Sequence, residues 1–132
     1  MTTVTTESQF TAALANNVVI ELEADITLAA TISINGITGV VINGNDFKVD
    51  GNNTVQCFYI TNGAEVLFND LTITKGYYNS GDGSGGGLYI TSATVNMFSC
   101  IILKNVAENY GGGLFIEESA TVTTTSCIIS EN

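Results

Sequence analysis

GGGLYI at residues 85–90 returns, with one change, as GGGLFI at residues 111–116. The likeness runs on past the glycines. Residues 85–105 read GGGLYITSATVNMFSCIILKN and residues 111–132 read GGGLFIEESATVTTTSCIISEN, and they match once one residue is added near Glu117. Ala93-Thr94-Val95 then falls on Ala120-Thr121-Val122, and Cys100-Ile101-Ile102 on Cys127-Ile128-Ile129, at an offset of 27 residues. A third copy, CFYITNGAEVLFNDLTITKG at residues 57–76, sets Phe58-Tyr59-Ile60 on Leu88-Tyr89-Ile90 and Leu71-Thr72-Ile73 on Cys100-Ile101-Ile102, at an offset of 29. Repeats of this length form stacked units, each burying its apolar side against the next.

Each unit holds three short runs of β-branched, aromatic and alternating character: LYI, TVNM and CII in one, LFI, TVTT and CII in the next. Gly, Asn and Ser fill the gaps as turn residues. No run is long enough for a helix, and the Leu/Asn ladder of leucine-rich repeats is absent. Three strands per coil, with coils stacked in parallel, define an all-β parallel β-helix in which equal positions lie about 4.8 Å apart. Upstream, short strands fall at 18–22, 26–28, 32–34, 40–42 and 47–49, with turns at Asn43-Gly44 and Asp50-Gly51. The chain therefore makes four to five turns, a coil roughly 20 Å tall. Thr6-Glu7-Ser8-Gln9 reads as a capping box with Thr6 as N-cap. Phe10, Ala13 and Leu14 then share one face of a helix that Asn16-Asn17 ends. Such a helix would cover the first coil, as solenoid ends require. One domain is expected: a cap helix over 1–17, irregular first turns over 18–56 and clear repeats over 57–132, the whole a segment of a longer repeat protein.

The 132 residues include 13 acidic and 3 basic side chains, all three Lys, for a formal charge of −10. Arg, His, Pro and Trp are absent. Nucleic-acid binding needs Lys and Arg to neutralise phosphates, so this composition argues against it, and the same repulsion argues against an anionic membrane surface. No apolar run approaches the roughly 18 residues of a membrane span. The start, MTTVTTESQF, has neither the basic segment nor the apolar core of a signal peptide. Cys57, Cys100 and Cys127 are odd in number and match no disulfide framework or zinc spacing. No cofactor is expected.

The repeats resemble the right-handed parallel β-helices of the pectin-lyase-like superfold. More narrowly, they resemble the repeats of polymorphic outer-membrane and related surface proteins, which pair a GGA[ILV] motif with FxxN. The first motif stands here as Gly111-Gly112-Gly113-Leu114 and at residues 85–88, with a third Gly in place of Ala. The second stands as Ile102-Leu103-Lys104-Asn105 and Ile129-Ser130-Glu131-Asn132, with Ile in place of Phe. The resemblance implies a secreted or surface-exposed scaffold, often adhesive. Resemblance to pectate lyases would imply an Arg base beside calcium-binding carboxylates, and resemblance to polygalacturonases would imply NTD, DD, GHG and RIK motifs. Asn69-Asp70 is a faint echo of the first of these, but there is no Arg, His or RIK. No catalytic residue is assigned.

The Gly triplet reads as a turn entered once per coil, since Gly tolerates positive φ and close backbone approach. A phosphate-cradling loop would need a following helix and usually a Lys, whereas strands follow here. Asp46 and Asp70 each precede a strand and would be neighbours if those strands stack. They read first as turn residues, then as a weak calcium site or, last, an acid/base pair. In FYI, LYI and LFI the middle residue should point outward, making a column of Tyr59, Tyr89 and Phe115. Stacked aromatics stabilise a sheet by themselves. The column is also a candidate surface for a glycan or a protein, and Tyr77 and Tyr78 in the long 76–84 loop would add to it. Asp82 in that loop reads as a solubilising residue. Thr72-Ile73-Thr74 and Thr123-Thr124-Thr125 suggest an ice-binding array, but the alignment places Thr72 on Ile101 and Thr123 on Asn96, so no Thr column forms. Cys100 and Cys127 are expected inward as free thiols. Leu114, Ile116, Val122 and Ile129 belong to the last coil and are expected to pair two copies as a homodimer. The expected function is non-enzymatic display or adhesion at a cell surface or outside the cell. A carbohydrate-binding or polysaccharide-active module is the first alternative and an ice-binding solenoid the second.

Overall fold

The computed structural model describes residues 1–81 and 83–132. A short strand β1 (Thr2–Val4) precedes the helix α1 (Glu7–Ala13), and the coils follow. The first comprises β2 (Val19–Leu22), β3 (Ile26–Thr27) and β4 (Ile32–Asn35), and the second β5 (Val40–Asn43), β6 (Lys48–Asp50) and β7 (Phe58–Thr61). The third comprises β8 (Glu65–Asn69), β9 (Thr72–Thr74), an added β10 (Tyr77–Tyr78) and β11 (Leu88–Thr91). The fourth comprises β12 (Thr94–Phe98), β13 (Ile101–Leu103), an added β14 (Val106–Ala107) and β15 (Leu114–Glu117). Then β16 (Thr121–Thr125) and β17 (Ile128–Ser130) begin a fifth. Three parallel sheets result: β1-β2-β5-β8-β12-β16, β3-β6-β9-β13-β17, and β4-β7-β11-β15. This is the parallel β-helix of four to five turns that the repeats predict.

Equal positions of the repeat stack. Val40, Val66, Val95 and Val122 form one ladder, and Val49, Ile73, Ile102 and Ile129 another. Alternate residues of each strand point inward, so these ladders make the core. The corners between the first and second sheets turn through left-handed residues at equivalent sites: Asp46 (φ 66°), Asp70 (φ 50°), Ser99 (φ 54°) and Ser126 (φ 55°). Short polar side chains tolerate this conformation best. Outside the first sheet, Asn69 donates to Asn43 Oδ1 at 2.9 Å and Asn43 donates to the Glu21 carboxylate, a polar ladder across three coils.

Thr6 caps α1 by accepting from Gln9 N at 3.2 Å. The reciprocal half of the capping box is displaced by one residue, because Gln9 Oε1 accepts from Thr5 N at 2.7 Å rather than from Thr6. Phe10 is fully buried, its ring 6.1 Å from that of Phe58, and the Glu7 carboxylate accepts from Ala29 N and Ala30 N at 3.0 Å each. The helix thus closes this end of the coil. β1 adds an unforeseen strand outside β2 (Thr2 opposite Ile20), because the TTV run preceding the cap gives no repeat signal.

Candidate functional site

The third sheet carries the candidate site on its outer face. Tyr59, Tyr89 and Phe115 are register partners on β7, β11 and β15. Their rings meet edge-on or tilted, at 5.4 Å and 80° for Tyr59–Tyr89 and at 5.2 Å and 58° for Tyr89–Phe115. Tyr110 extends the column, stacked on Phe115 at 6.2 Å. The Tyr89 hydroxyl donates to the Glu117 carboxylate across one coil.

Beside the column stands an arm that the repeat did not foretell: β10 pairs with β14, Tyr77 opposite Val106 and Tyr78 opposite Ala107. Successive strand residues face opposite ways, and Tyr78 alone of the pair turns toward the column. A cavity of about 300 Å³ is lined by Gln56, Tyr59, Tyr78 and Tyr89. Of the five aromatic residues expected to bind, three line this cavity, Phe115 continues the column and Tyr77 stands apart from both. Asp82 lies outside the described residues.

The turn that positions this region is built from Gly and Asn. Gly85 and Gly111 take φ of +71° and +58° and start each triplet in the left-handed region. The next glycine is required for space, since a Cβ on Gly86 would lie 2.2 Å from Val106 O. Asn105 is fully buried; its Oδ1 accepts from Gly76 N at 2.8 Å and its Nδ2 donates to Ile73 O at 3.1 Å. Asn132 repeats the pattern one coil on, accepting from Asn105 N at 3.0 Å and donating to Ile102 O at 2.9 Å. The motif asparagine therefore fastens each coil to the one before.

Gln56 escaped sequence reasoning for a physical reason. With Phe58 opposite Leu88 and Leu114, it occupies the place held by Gly86 and Gly112, so the repeat showed only a mismatch. In that place its amide nitrogen donates to Gly85 O at 2.8 Å and Ser84 O at 3.3 Å. Tyr110 and Glu117 were likewise missed; Tyr110 lies in the turn, and Glu117, opposite Thr91, stands just before the single added residue of its repeat.

Asp46 and Asp70 are brought together as expected, with Asp46 N donating to Asp70 O at 2.9 Å. Both are exposed left-handed corner residues, and among the described residues no group of three or more His, Cys, Asp or Glu could hold a metal. Cys57 and Cys100 are buried free thiols and Cys127 is half-buried. Burial pushes the Cys57 thiol up to about 12, with the Asp50 carboxylate adding to it, and burial raises Cys100 to about 11. In the last coil, Leu114 and Val122 are half-buried while Ile116 and Ile129 remain 44% and 49% exposed. Thr72 pairs with Ile101 and Thr123 with Asn96, so no threonine column exists there.

The parallel β-solenoid, together with the family match that follows, places the chain among the pectin-lyase-like β-helices. Within that class, the family model of the pectate lyase-like adhesive domain matches residues 1–116, and the chain belongs to this family. The match spans the helix and the irregular first turns and ends inside β15. No curated protein and no solved structure matches the chain. Among the described residues, no helix is long and apolar enough to cross a membrane.

Proposed function

We infer that this domain is a non-enzymatic scaffold of a secreted or surface-displayed protein, and that it adheres through the outer face of the third sheet. The observation that carries this reading is the aromatic column continuing into a cavity walled by Tyr59, Tyr78 and Tyr89. Aromatic side chains held rigidly at a surface supply contact area at low entropic cost. Membership of an adhesive family supports the same reading. The acidic pair Asp46/Asp70 is set at an exposed corner between the other two sheets, and the sequence supplies neither Arg nor His to complete a lyase or hydrolase set.

Beads coated with the chain should adhere to glycan-bearing cells or surfaces, and Tyr89→Ala should remove most of that adhesion while leaving the fold intact by circular dichroism. Adhesion indifferent to Tyr89→Ala would refute the assignment of this face. Steady release of unsaturated or reducing sugar ends from polysaccharides by the purified chain would refute the non-enzymatic reading.

A further inference from the structure

We propose that the cleft between the third sheet and the β10/β14 arm takes a neutral sugar ring of a glycan chain and rejects uronates. This rests on the adhesion reading above and names its ligand class. The cavity's 300 Å³ is at the lower end of the range for small-molecule sites, the scale of a sugar ring rather than a protein loop. Three of its lining residues are tyrosines, whose electron-rich faces suit the C–H face of a pyranose and whose hydroxyls suit its polar edge.

The fourth, Gln56, supplies direction. Its side chain is only 5% exposed, and its amide nitrogen is committed to the Ser84 and Gly85 carbonyls. Those bonds fix the amide with its oxygen turned the other way. Gln56 itself lines the cavity, and with its nitrogen so held the amide oxygen is the group it has left to offer a ligand there. A fixed neutral acceptor between aromatic walls is complementary to a sugar hydroxyl.

Charge selects among sugars. Among the described residues the lining carries no ionic group, and the Tyr89 wall donates to the Glu117 carboxylate. The three lysines, Lys48, Lys75 and Lys104, lie in or directly after strands of the second sheet. A uronate would thus meet acidic surroundings on a chain of charge −10, with no cation among the described lining residues to pair with it.

The chain has five tyrosines and no tryptophan, so its tyrosine emission reports chiefly on this region. Titration with short neutral gluco-, galacto- and manno-oligosaccharides should change that emission for at least one series and give saturation-transfer signals. Oligogalacturonate of equal length should bind at least about tenfold more weakly, and Tyr78→Ala should weaken the neutral ligand about tenfold, the effect of losing one stacking contact plus its buried area. Tyr77→Ala, on the other side of the arm, should leave it unchanged. Oligogalacturonate binding as well as the neutral series, or neutral binding that survives both Tyr78→Ala and Tyr59→Ala, would overturn the proposal. Failure of every neutral series while Tyr89→Ala still abolishes bead adhesion would overturn it and leave the adhesion reading standing. Sugar binding without bead adhesion would support the cleft and defeat the adhesion reading.

Discussion

Asn105 is a buried polar residue in a narrow apolar coil, and every bond of its amide runs to a neighbouring turn: Gly76 N, Ile73 O and Asn132. Removing the side chain leaves a buried N–H and C=O without partners, so Asn105→Ala should cost about 2–4 kcal/mol in urea denaturation. Ile102 is packed between Ile73 and Ile129 in the second sheet. Ile102→Ala should cost about 2–4 kcal/mol through its cavity, and Thr121→Ala, at an exposed position, under about 0.5 kcal/mol. Equal losses at the two sites would contradict the register. The thiols give a pH signature. The unfolded chain releases thiol protons from about pH 9, while folded Cys57 and Cys100 hold theirs to about 12 and about 11. Their contribution is therefore complete below pH 9 and lost as pH rises toward those values. The urea midpoint should fall above pH 9, and Cys57→Ala should flatten that fall. A midpoint equally steep in the variant would exclude Cys57 as the source.

At the scale of elements, the coil tolerates change according to what lies across each turn. A methyl on Gly86 would run into Val106 O at 2.2 Å and Gly112 O at 2.7 Å, both backbone atoms that cannot swing aside. Gly63, at φ +81°, has open space around it. Gly86→Ala should cost about 3 kcal/mol by overpacking, and Gly63→Ala about 1–2 kcal/mol by backbone strain alone; thermal melts of the two variants would rank them, and the reverse order would contradict the close approach of coils three and four. The same logic explains what the sequence disclosed. Stacking puts like residues on equal positions, so three aligned copies revealed the ladders of Val95 and Ile102 and the column of Tyr59, Tyr89 and Phe115, while the pairing of Asp46 with Asp70 followed from each standing just before a strand. Elements occurring once left no such trace. β1 has no repeat counterpart, and the β10/β14 arm pairs YY with VA, two dipeptides with nothing in common but their place beside a glycine turn. The cavity needs Tyr78 from that arm and Gln56 from a site that is glycine in later coils. The aromatic wall was therefore legible and the cleft was not.

At the largest scale, the 132-residue chain has a coil with unlike ends. At one, α1 covers the first coil with Phe10 fully buried, and the Glu7 carboxylate pins it to the Ala29-Ala30 corner. At the other, Ile116 and Ile129 of the last coil remain about half exposed, and β15, β16 and β17 are the outermost strands of their sheets. Unpaired strand edges over apolar side chains are templates for association, and solenoids use a polar cap to prevent it. Head-to-tail stacking of the 132-residue chain is blocked, since the open end would meet α1 rather than a coil. Two open ends can meet instead about a two-fold axis, a contact that closes on itself. The charge of −10 on each copy opposes this at low salt, and screening over about 10 Å at 0.1 M relieves it. The 132-residue chain should therefore form dimers centred on Leu114, Ile116, Val122 and Ile129, more strongly as salt is added. Ile129→Lys should shift the equilibrium to monomer, and so should one further GGGL repeat ending in a polar cap, because it covers the same face. Light scattering over a concentration series decides the matter: a strict monomer at high micromolar concentration, or a dimer indifferent to Ile129→Lys, would show that this end is not the contact.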